Sequence, residues 1–307
     1  MTEVSVIVVS WNTKDILRQC LESLYRESND IELELILVDN ASTDGSPEMV
    51  RQEFPQAILI CNSQNRGFAA ANNQGIEIAK GRFVLLLNPD TVILDRAIQK
   101  TIAFAEQHPR AGAVGIRNIH ADGQLQKNCF QYASLLNLAI TTSSLHRLFS
   151  NSKFFSRERM NWWDYTDSRK VDVVAGCYML VPRKVIDEIG GLDEAYFMYG
   201  EEMDWCWRMA KAGLEVWYCN DAKIIHYGGM STSQNPIEMH KQGLSSFFYF
   251  IEKREGQLAR YTAQALIIFN GILRTAFWSC RWVVSSGKAR EASAQKLRQA
   301  ITMILLQ

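Results

Sequence analysis

Two kinds of apolar pattern alternate along the first third of the chain. Residues 4–9 and 33–38 are short, nearly continuous runs of Val, Ile and Leu, as expected of parallel strands covered on both faces. Between them Ile16, Leu17, Cys20, Leu21 and Leu24 recur at helical spacing over 15–26, so this stretch reads strand, helix, strand. Ser46 ahead of Pro47 predicts a capped helix start. The pattern continues with a strand over 57–61, a helix over 69–79, a strand over 83–87 that ends in Asn88-Pro89-Asp90, a helix over 97–107 and a strand over 113–116. Such alternation predicts an α/β fold: a doubly wound, mostly parallel sheet flanked by helices, with ligands at the carboxyl ends of the strands.

Residues 123–169 carry no clear period, and Trp162 and Trp163 with the nearby basic residues suit a lid near a ligand as well as plain surface packing. Residues 171–181 predict a strand pair around Gly176, and 184–189 a short helix ended by Gly190 and Gly191. A further helix opens at Tyr199-Gly200-Glu201-Glu202-Met203-Asp204-Trp205-Cys206-Trp207-Arg208 and runs to about residue 212. Beyond 236 the chain reads as a helical, basic, amphipathic extension.

With 307 residues and 47% hydrophobic content, the chain has enough apolar material for a large α/β domain plus an appendage, and it is not disordered. The 33 basic side chains balance 33 acidic ones, so no overall field points to nucleic acid. The balance hides a split: from Lys253 onward nine basic residues face two acids, a charge of +7 that the rest of the chain offsets. Residues 261–287 combine Leu266, Ile267, Phe269, Phe277, Trp278 and Trp282 with Arg274 and Arg281. The two arginines make a poor membrane span but suit a helix lying at an anionic lipid interface. A helix packed on the main domain, or an oligomer contact, remains open. Seven cysteines without a CxxC pair read as buried free thiols in a reducing compartment. The start, Met1-Thr2-Glu3 followed directly by a strand, lacks a basic leader, so a cytoplasmic protein is expected.

Candidate chemistry gathers at the predicted strand ends. Three carboxylates in four positions, Glu201, Glu202 and Asp204, sit beside Trp205 and need a cation, a proton or water to be tolerated. Val9-Ser10-Trp11-Asn12 and Asp39 offer an aromatic face, amides and a carboxylate, a mixture that fits a nucleobase and ribose or ordinary loop capping. Asn65-Arg66-Gly67, leading into a helix that carries Asn72, has small residues and a positive helix end that favour a diphosphate. It matches neither a Walker loop nor a dinucleotide fingerprint. Asp90 could hold Mg²⁺ or Mn²⁺ against a diphosphate, with His226 as partner. His108, His120, His146 and His240 lack such company.

Taken in order, these motifs resemble glycosyltransferase family 2 over about residues 4–229: residues 6–12, 38–46, the Asn65 loop, Asn88-Pro89-Asp90, Gly176, residues 190–194 and residues 201–204. The resemblance implies an inverting enzyme of the GT-A fold that uses a nucleoside diphosphate sugar. The catalytic domain would span 1–235, with a nucleotide-binding half at about 1–117 and an acceptor-side half at about 118–235. Residues 236–307 would form the extension. Donor contacts would come from Val9, Ser10, Trp11, Asn12, Asp39, Asn65, Arg66, Gly67, Asn72, Asn88 and Asp90. Asp90 matches the last acid of the family's Asp-x-Asp metal motif, where Asn88 replaces the first, and His226 matches a metal-holding histidine. Glu202 matches the usual base, with Glu201 and Asp204 beside it, and Gly176 and Trp205 lie on the acceptor side. The motif variants look most like rhamnosyltransferases that use dTDP-rhamnose to build cell-surface glycans on glycan or lipid-linked acceptors, at the inner face of the cytoplasmic membrane. Another hexosyl donor, or a non-catalytic nucleotide-sugar-binding protein of the same fold, are the alternatives.

Overall fold

The computed structural model describes residues 2–229 and 236–305. Its elements in chain order are β1 (Val4–Ser10), α1 (Lys14–Glu27), β2 (Leu33–Asp39), α2 (Ser46–Glu53), β3 (Ile58–Cys61), α3 (Phe68–Ile78), β4 (Phe83–Leu87), β5 (Thr91–Leu94), α4 (Ala97–Gln107) and β6 (Ala111–Ile119). They continue as β7 (Leu125–Gln126), β8 (Cys129–Phe130), α5 (Leu135–Thr142), α6 (Leu145–Leu148), β9 (Arg169–Val171), β10 (Val173–Val174), β11 (Tyr178–Pro182), α7 (Arg183–Ile189), α8 (Glu201–Lys211) and β12 (Glu215–His226). Three helices follow: α9 (Pro236–Glu255), α10 (Gln257–Val284) and α11 (Gly287–Leu305). The chain divides into two compact units, unit 1 with Met1–Tyr132 and Trp163–Met239, and unit 2 with Ala133–Trp162 and His240–Gln307.

Unit 1 is organised by a mixed sheet in the order β3-β2-β1-β4-β11-β6-β12-β5. β1 pairs in parallel with β2 and β4, β2 with β3, and β6 with β12, whereas β11 and β5 run antiparallel to their neighbours. Val4, Val6 and Val8 pack into one core with Leu17, Leu21 and Leu24 of α1 and Ile98 of α4. Ile7 faces the other way. A Cβ on Gly75 would come within 2.6 Å of Ile7 Cγ2, so glycine is what lets α3 lie against the sheet. Burial on both faces explains why residues 4–10 show no alternation.

Several expectations change. Ser46 is the first residue of α2 rather than its cap: Gly45, at φ 81°, precedes the helix, and Asp44 Oδ1 accepts the Ser46 N–H at 3.0 Å. Glycine enters that left-handed region without a Cβ penalty. The two strands expected around Gly176 form but do not pair with each other. Val173–Val174 pairs with β8 in a separate two-stranded sheet, and Tyr178–Pro182 joins the main sheet between β4 and β6, because an apolar run does not encode its partner. The unreadable stretch supplies β7, β8 and β9 to unit 1, but 133–162 groups with the C-terminal helices and not with the half expected over 118–235. The boundary expected at 235 lies outside the described residues. Five cysteines are buried free thiols, whereas Cys61 and Cys280 are exposed.

Unit 2 is helical. Ser134 caps α5 by accepting the Asn137 N–H, and α10 packs on α5 and α11. Asn270 Nδ2 donates to Thr142 O at 2.8 Å, and Arg254 Nη1 to Ala133 O at 2.9 Å. No helix of the described residues is long and apolar enough to cross a membrane. By sequence, unit 2 has fourteen lysines and arginines against four carboxylates, a charge of +10, and unit 1 nineteen against twenty-nine, a charge of −10.

Candidate active site

Strand register assembles the site. In the antiparallel pairing of β5 with β12, His226 stands opposite Thr91, and Tyr227 N–H donates to Asp90 O at 3.0 Å, so the histidine is fixed beside the turn that carries Asp90. The β6–β7 hairpin brings Gln126 to the same place, where its Oε1 accepts from His226 Nδ1 at 2.6 Å. The other ring nitrogen, Nε2, lies 3.3 Å from Asp90 Oδ1.

That geometry offers a test of whether a divalent cation fits. His226 Nε2 is buried without a hydrogen bond, and Asp90 is only 5% exposed. A ring nitrogen and a carboxylate oxygen at this separation are reconciled by a shared proton or by a cation between them, and the pair can therefore present two donor atoms to a metal ion. The Oδ1 of Asn88, buried and without a hydrogen bond, adds a neutral oxygen at the end of the same strand. An imidazole oriented through its second nitrogen is the usual form of a metal-binding histidine. Among the described residues no cluster of three or more His, Cys, Asp or Glu forms a complete cage. Two side-chain donors suit an ion that fills its remaining positions with diphosphate and water.

Two cavities adjoin here and share Phe68, Asn88 and Met198. One, about 110 Å³, is lined by Val9, Trp11, Asn40, Asn65, Gly67, Asp90 and Phe197. The other, about 310 Å³, is lined by Gln126, Lys127, Asn128, Gly176, Tyr199, Glu201, Glu202 and His226. The first is shaped by backbone approach: Gly67 has φ 84°, and a Cβ there would lie 2.4 Å from Phe197 O. Asn40 closes its floor, donating to Gly67 O at 3.1 Å and accepting from Asn62 Nδ2 at 2.9 Å.

In the second cavity the carboxylates stand at the start of α8. Tyr199 at φ 67° and Gly200 at φ 88° turn the chain so that Glu201 and Glu202 open the helix, a left-handed pair that costs about 1 kcal/mol or more at the tyrosine. Burial pushes the Glu202 pKa up, opposed by backbone N–H groups. Burial pushes Glu201 well above its ordinary value, and the charge on Glu202 adds to this. Two buried carboxyls side by side disfavour double ionisation, so the pair titrates as a unit. Burial also lowers the pKa of Lys127.

The cavities bring together Val9, Trp11, Asn65, Gly67, Asn88, Asp90, Gly176, Glu201, Glu202 and His226. Other expected residues do not line them. Asp204 is fully buried and accepts from Arg208 Nε at 2.9 Å, and that arginine donates to Ile189 O and Gly191 O. Asp204 thus ties α8 to the end of α7 through Arg208 and lines neither cavity. Trp205 is buried with its Nε1 on Gly190 O at 3.0 Å. Ser10 and Asn72 are buried and bonded to Thr13 Oγ1 and Phe68 O, and Asn12 Oδ1 accepts the Thr43 N–H. Arg66 is exposed. Asp39 lines neither cavity, although its Oδ1 is buried without a hydrogen bond. Each of these sits in a motif whose neighbours do reach a cavity, and sequence spacing does not tell which side chain of a turn points inward. Sequence reasoning missed Gln126, Lys127 and Asn128, which lie in the stretch without a period, and Phe68 and Phe197, which carry no polar signal.

An α/β sheet of this order, with paired cavities at its strand ends, is the architecture of GT-A glycosyltransferases. A mannosyltransferase from Pyrobaculum calidifontis in complex with GDP-Man and Mn²⁺ superposes with a TM-score of 0.58 over 99% of this chain and 85% of its own, at 18% identity. GalNAc-T7 with UDP, GalNAc and Mn²⁺ gives 0.55 over 73% of this chain and 43% of its own, at 15% identity. The chain belongs to glycosyl transferase family 2, whose profile matches residues 5–190. Its relatives include the N-acetylglucosaminyl-diphospho-decaprenol L-rhamnosyltransferase of Mycobacterium tuberculosis, 28% identical over 83% of this chain and 86% of that protein. The O-antigen biosynthesis protein RfbC of Myxococcus xanthus is 24% identical over 76% of this chain and 18% of its own length.

Proposed function

We propose that this family 2 glycosyltransferase moves rhamnose from dTDP-rhamnose to a lipid-linked or glycan acceptor, with inversion, in the synthesis of a cell-surface polysaccharide. The observation that carries this reading is the ionisable Glu202 in a cavity that adjoins the one holding Trp11 and Asp90. The Mycobacterium relative, a rhamnosyltransferase by name, supports the sugar and the lipid-diphosphate acceptor.

In the reaction, Trp11 and Val9 pack against the nucleobase, and the Asn65–Gly67 loop borders the donor. Glu202 takes the proton of an acceptor hydroxyl as that oxygen bonds to the anomeric carbon and the carbon–diphosphate bond breaks on the opposite face. Because double ionisation is disfavoured, Glu201 and Glu202 carry a single negative charge between them. Gly176 makes room for the acceptor: a Cβ there would fill space 3.7 Å from Glu202 Cβ. Asp90 and His226, with Asn88 Oδ1, would hold Mg²⁺ or Mn²⁺, which when bound offsets charge on the departing diphosphate. The Mn²⁺ in the two solved neighbours supports that choice. The exposed apolar and basic residues within 261–287 support contact with the inner face of the cytoplasmic membrane.

Thermal shift with a panel of nucleoside diphosphate sugars, with and without Mn²⁺, tests the donor. The largest stabilisation is expected from dTDP-rhamnose, and a larger one from a UDP- or GDP-hexose overturns that choice. Glu202→Gln is expected to bind donor normally and to lose turnover; wild-type turnover removes Glu202 from the base role.

A further inference from the structure

Unit 2 holds a cavity of about 560 Å³, larger than either at the active site, between the α5–α6 segment, the turn around residue 157 and α10. Arg147, Arg157, Arg159 and Arg274 line it together with His146, whose Nδ1 is buried without a hydrogen bond. Glu158 is the one acid among the described residues of the lining, and it is engaged by Thr141 Oγ1 at 2.9 Å. Four guanidinium groups around one carboxylate leave a strong cationic excess, and guanidinium is the side chain best matched to phosphate oxygens.

The same unit also exposes large apolar side chains. On α10, Ala259, Ala263, Ile267 and Gly271 are buried at four-residue spacing. The same helix leaves Leu258 80%, Phe269 60%, Phe277 57% and Val284 84% exposed. Leu148 and Phe154, from the segment that contributes Arg147 and Arg157, are exposed as well. A nucleic-acid surface of charge +10 would be polar, whereas large apolar side chains standing in water within so basic a unit suit the headgroup boundary of an anionic bilayer.

We infer that unit 2 is an anionic-membrane docking module in which the apolar face of α10 enters the bilayer surface while the arginine-lined cavity seats the phosphate of a lipid headgroup. This deepens the membrane contact proposed above, and rests on it, by naming the lipid class and its seat. Lipid selectivity thereby comes from the cavity, and depth of insertion from α10.

The test is flotation of the full chain with phosphatidylcholine vesicles and with vesicles containing one-third phosphatidylglycerol. At least fivefold more protein is expected on the anionic vesicles, falling toward the neutral level in 0.5 M salt through charge screening. The triple variant Arg147→Gln, Arg159→Gln, Arg274→Gln is expected to lose the anionic excess, and Arg274→Lys to keep most of it. Phe269→Ser with Phe277→Ser is expected to lose binding to both vesicles. Equal wild-type flotation on both vesicle types leaves membrane contact standing and overturns the lipid selectivity; flotation on neither overturns both. Millimolar inorganic pyrophosphate is expected to reduce anionic flotation by competing for the guanidinium groups, and anionic flotation that it leaves unchanged overturns the cavity as the phosphate seat. Should the triple variant unfold, the salt and pyrophosphate arms on wild type decide alone. Donor binding to unit 1 is read separately by thermal shift, so failure here does not touch the transferase proposal.

Discussion

Unit 1 and unit 2 use the same amphipathic vocabulary against different solvents. In unit 1 the apolar strands are covered on both sides, and polar groups without hydrogen bonds, such as His226 Nε2, Asn88 Oδ1 and Glu202 Oε2, collect where strand ends and helix starts meet. In unit 2 large apolar side chains point outward and the charge is +10 against −10. Burial in the first creates reactive polar groups, because desolvation raises the energy of any charge left without a partner. Exposure in the second creates a surface that stays unpaid in water and gains free energy from whatever covers it. The candidate catalytic groups therefore lie in unit 1, and the exposed apolar and basic side chains in unit 2.

Substitutions can break or sharpen that contrast. The largest effect is expected for Glu202→Gln, a loss of about 10²–10⁴ in turnover with unchanged vesicle flotation, measured as nucleotide release and by sedimentation side by side. Next is Asp204→Asn, which removes the buried negative charge that faces Arg208 at the α7–α8 junction and should cost about 3–5 kcal/mol in urea unfolding. A retained midpoint with lost turnover would place Asp204 among the reacting groups. Gln126→Leu removes the acceptor that orients His226, and titration calorimetry with Mn²⁺ in the presence of donor should show affinity weakened about 10–100-fold. In contrast, Phe277→Ser in unit 2 should move stability by no more than about 0.5 kcal/mol.

A pH-dependent effect follows from the raised pKa of Glu201. A carboxyl whose folded pKa is raised contributes stability that is full below its unfolded value, ordinarily 4.5, and is lost as pH rises through the folded one. Glu201→Gln removes that loss. Its melting temperature should match wild type at pH 4 and exceed it at pH 8, by about 2–4 °C for each kcal/mol. A difference independent of pH would place the effect in packing.

Much of unit 1 was legible because burial on two faces writes itself as unbroken apolar runs, and helices as four-residue recurrences. The strands ending at Ser10, Asp39 and Leu87 follow from those runs within a residue or two. The stretch 123–169 was illegible because it is shared: Leu125 to Phe130 makes two-residue strands, too short for a period, and 135–148 belongs to another unit. Gln126 was out of reach for that reason, and Lys127 with it. Asp204 shares a helix end with Glu202, yet its side chain is held by Arg208, four residues on, which the spacing alone does not show.

The sequence by itself determined the alternation of strands and helices, the family, the charge split and the residue types available at each strand end, since these depend on local periodicity and composition. Only the tertiary structure decided which of those residues meet. The approach of Asp90, Gln126 and His226 is set by the register of β5, β7, β6 and β12, and register is a property of pairings between distant segments that no local pattern records.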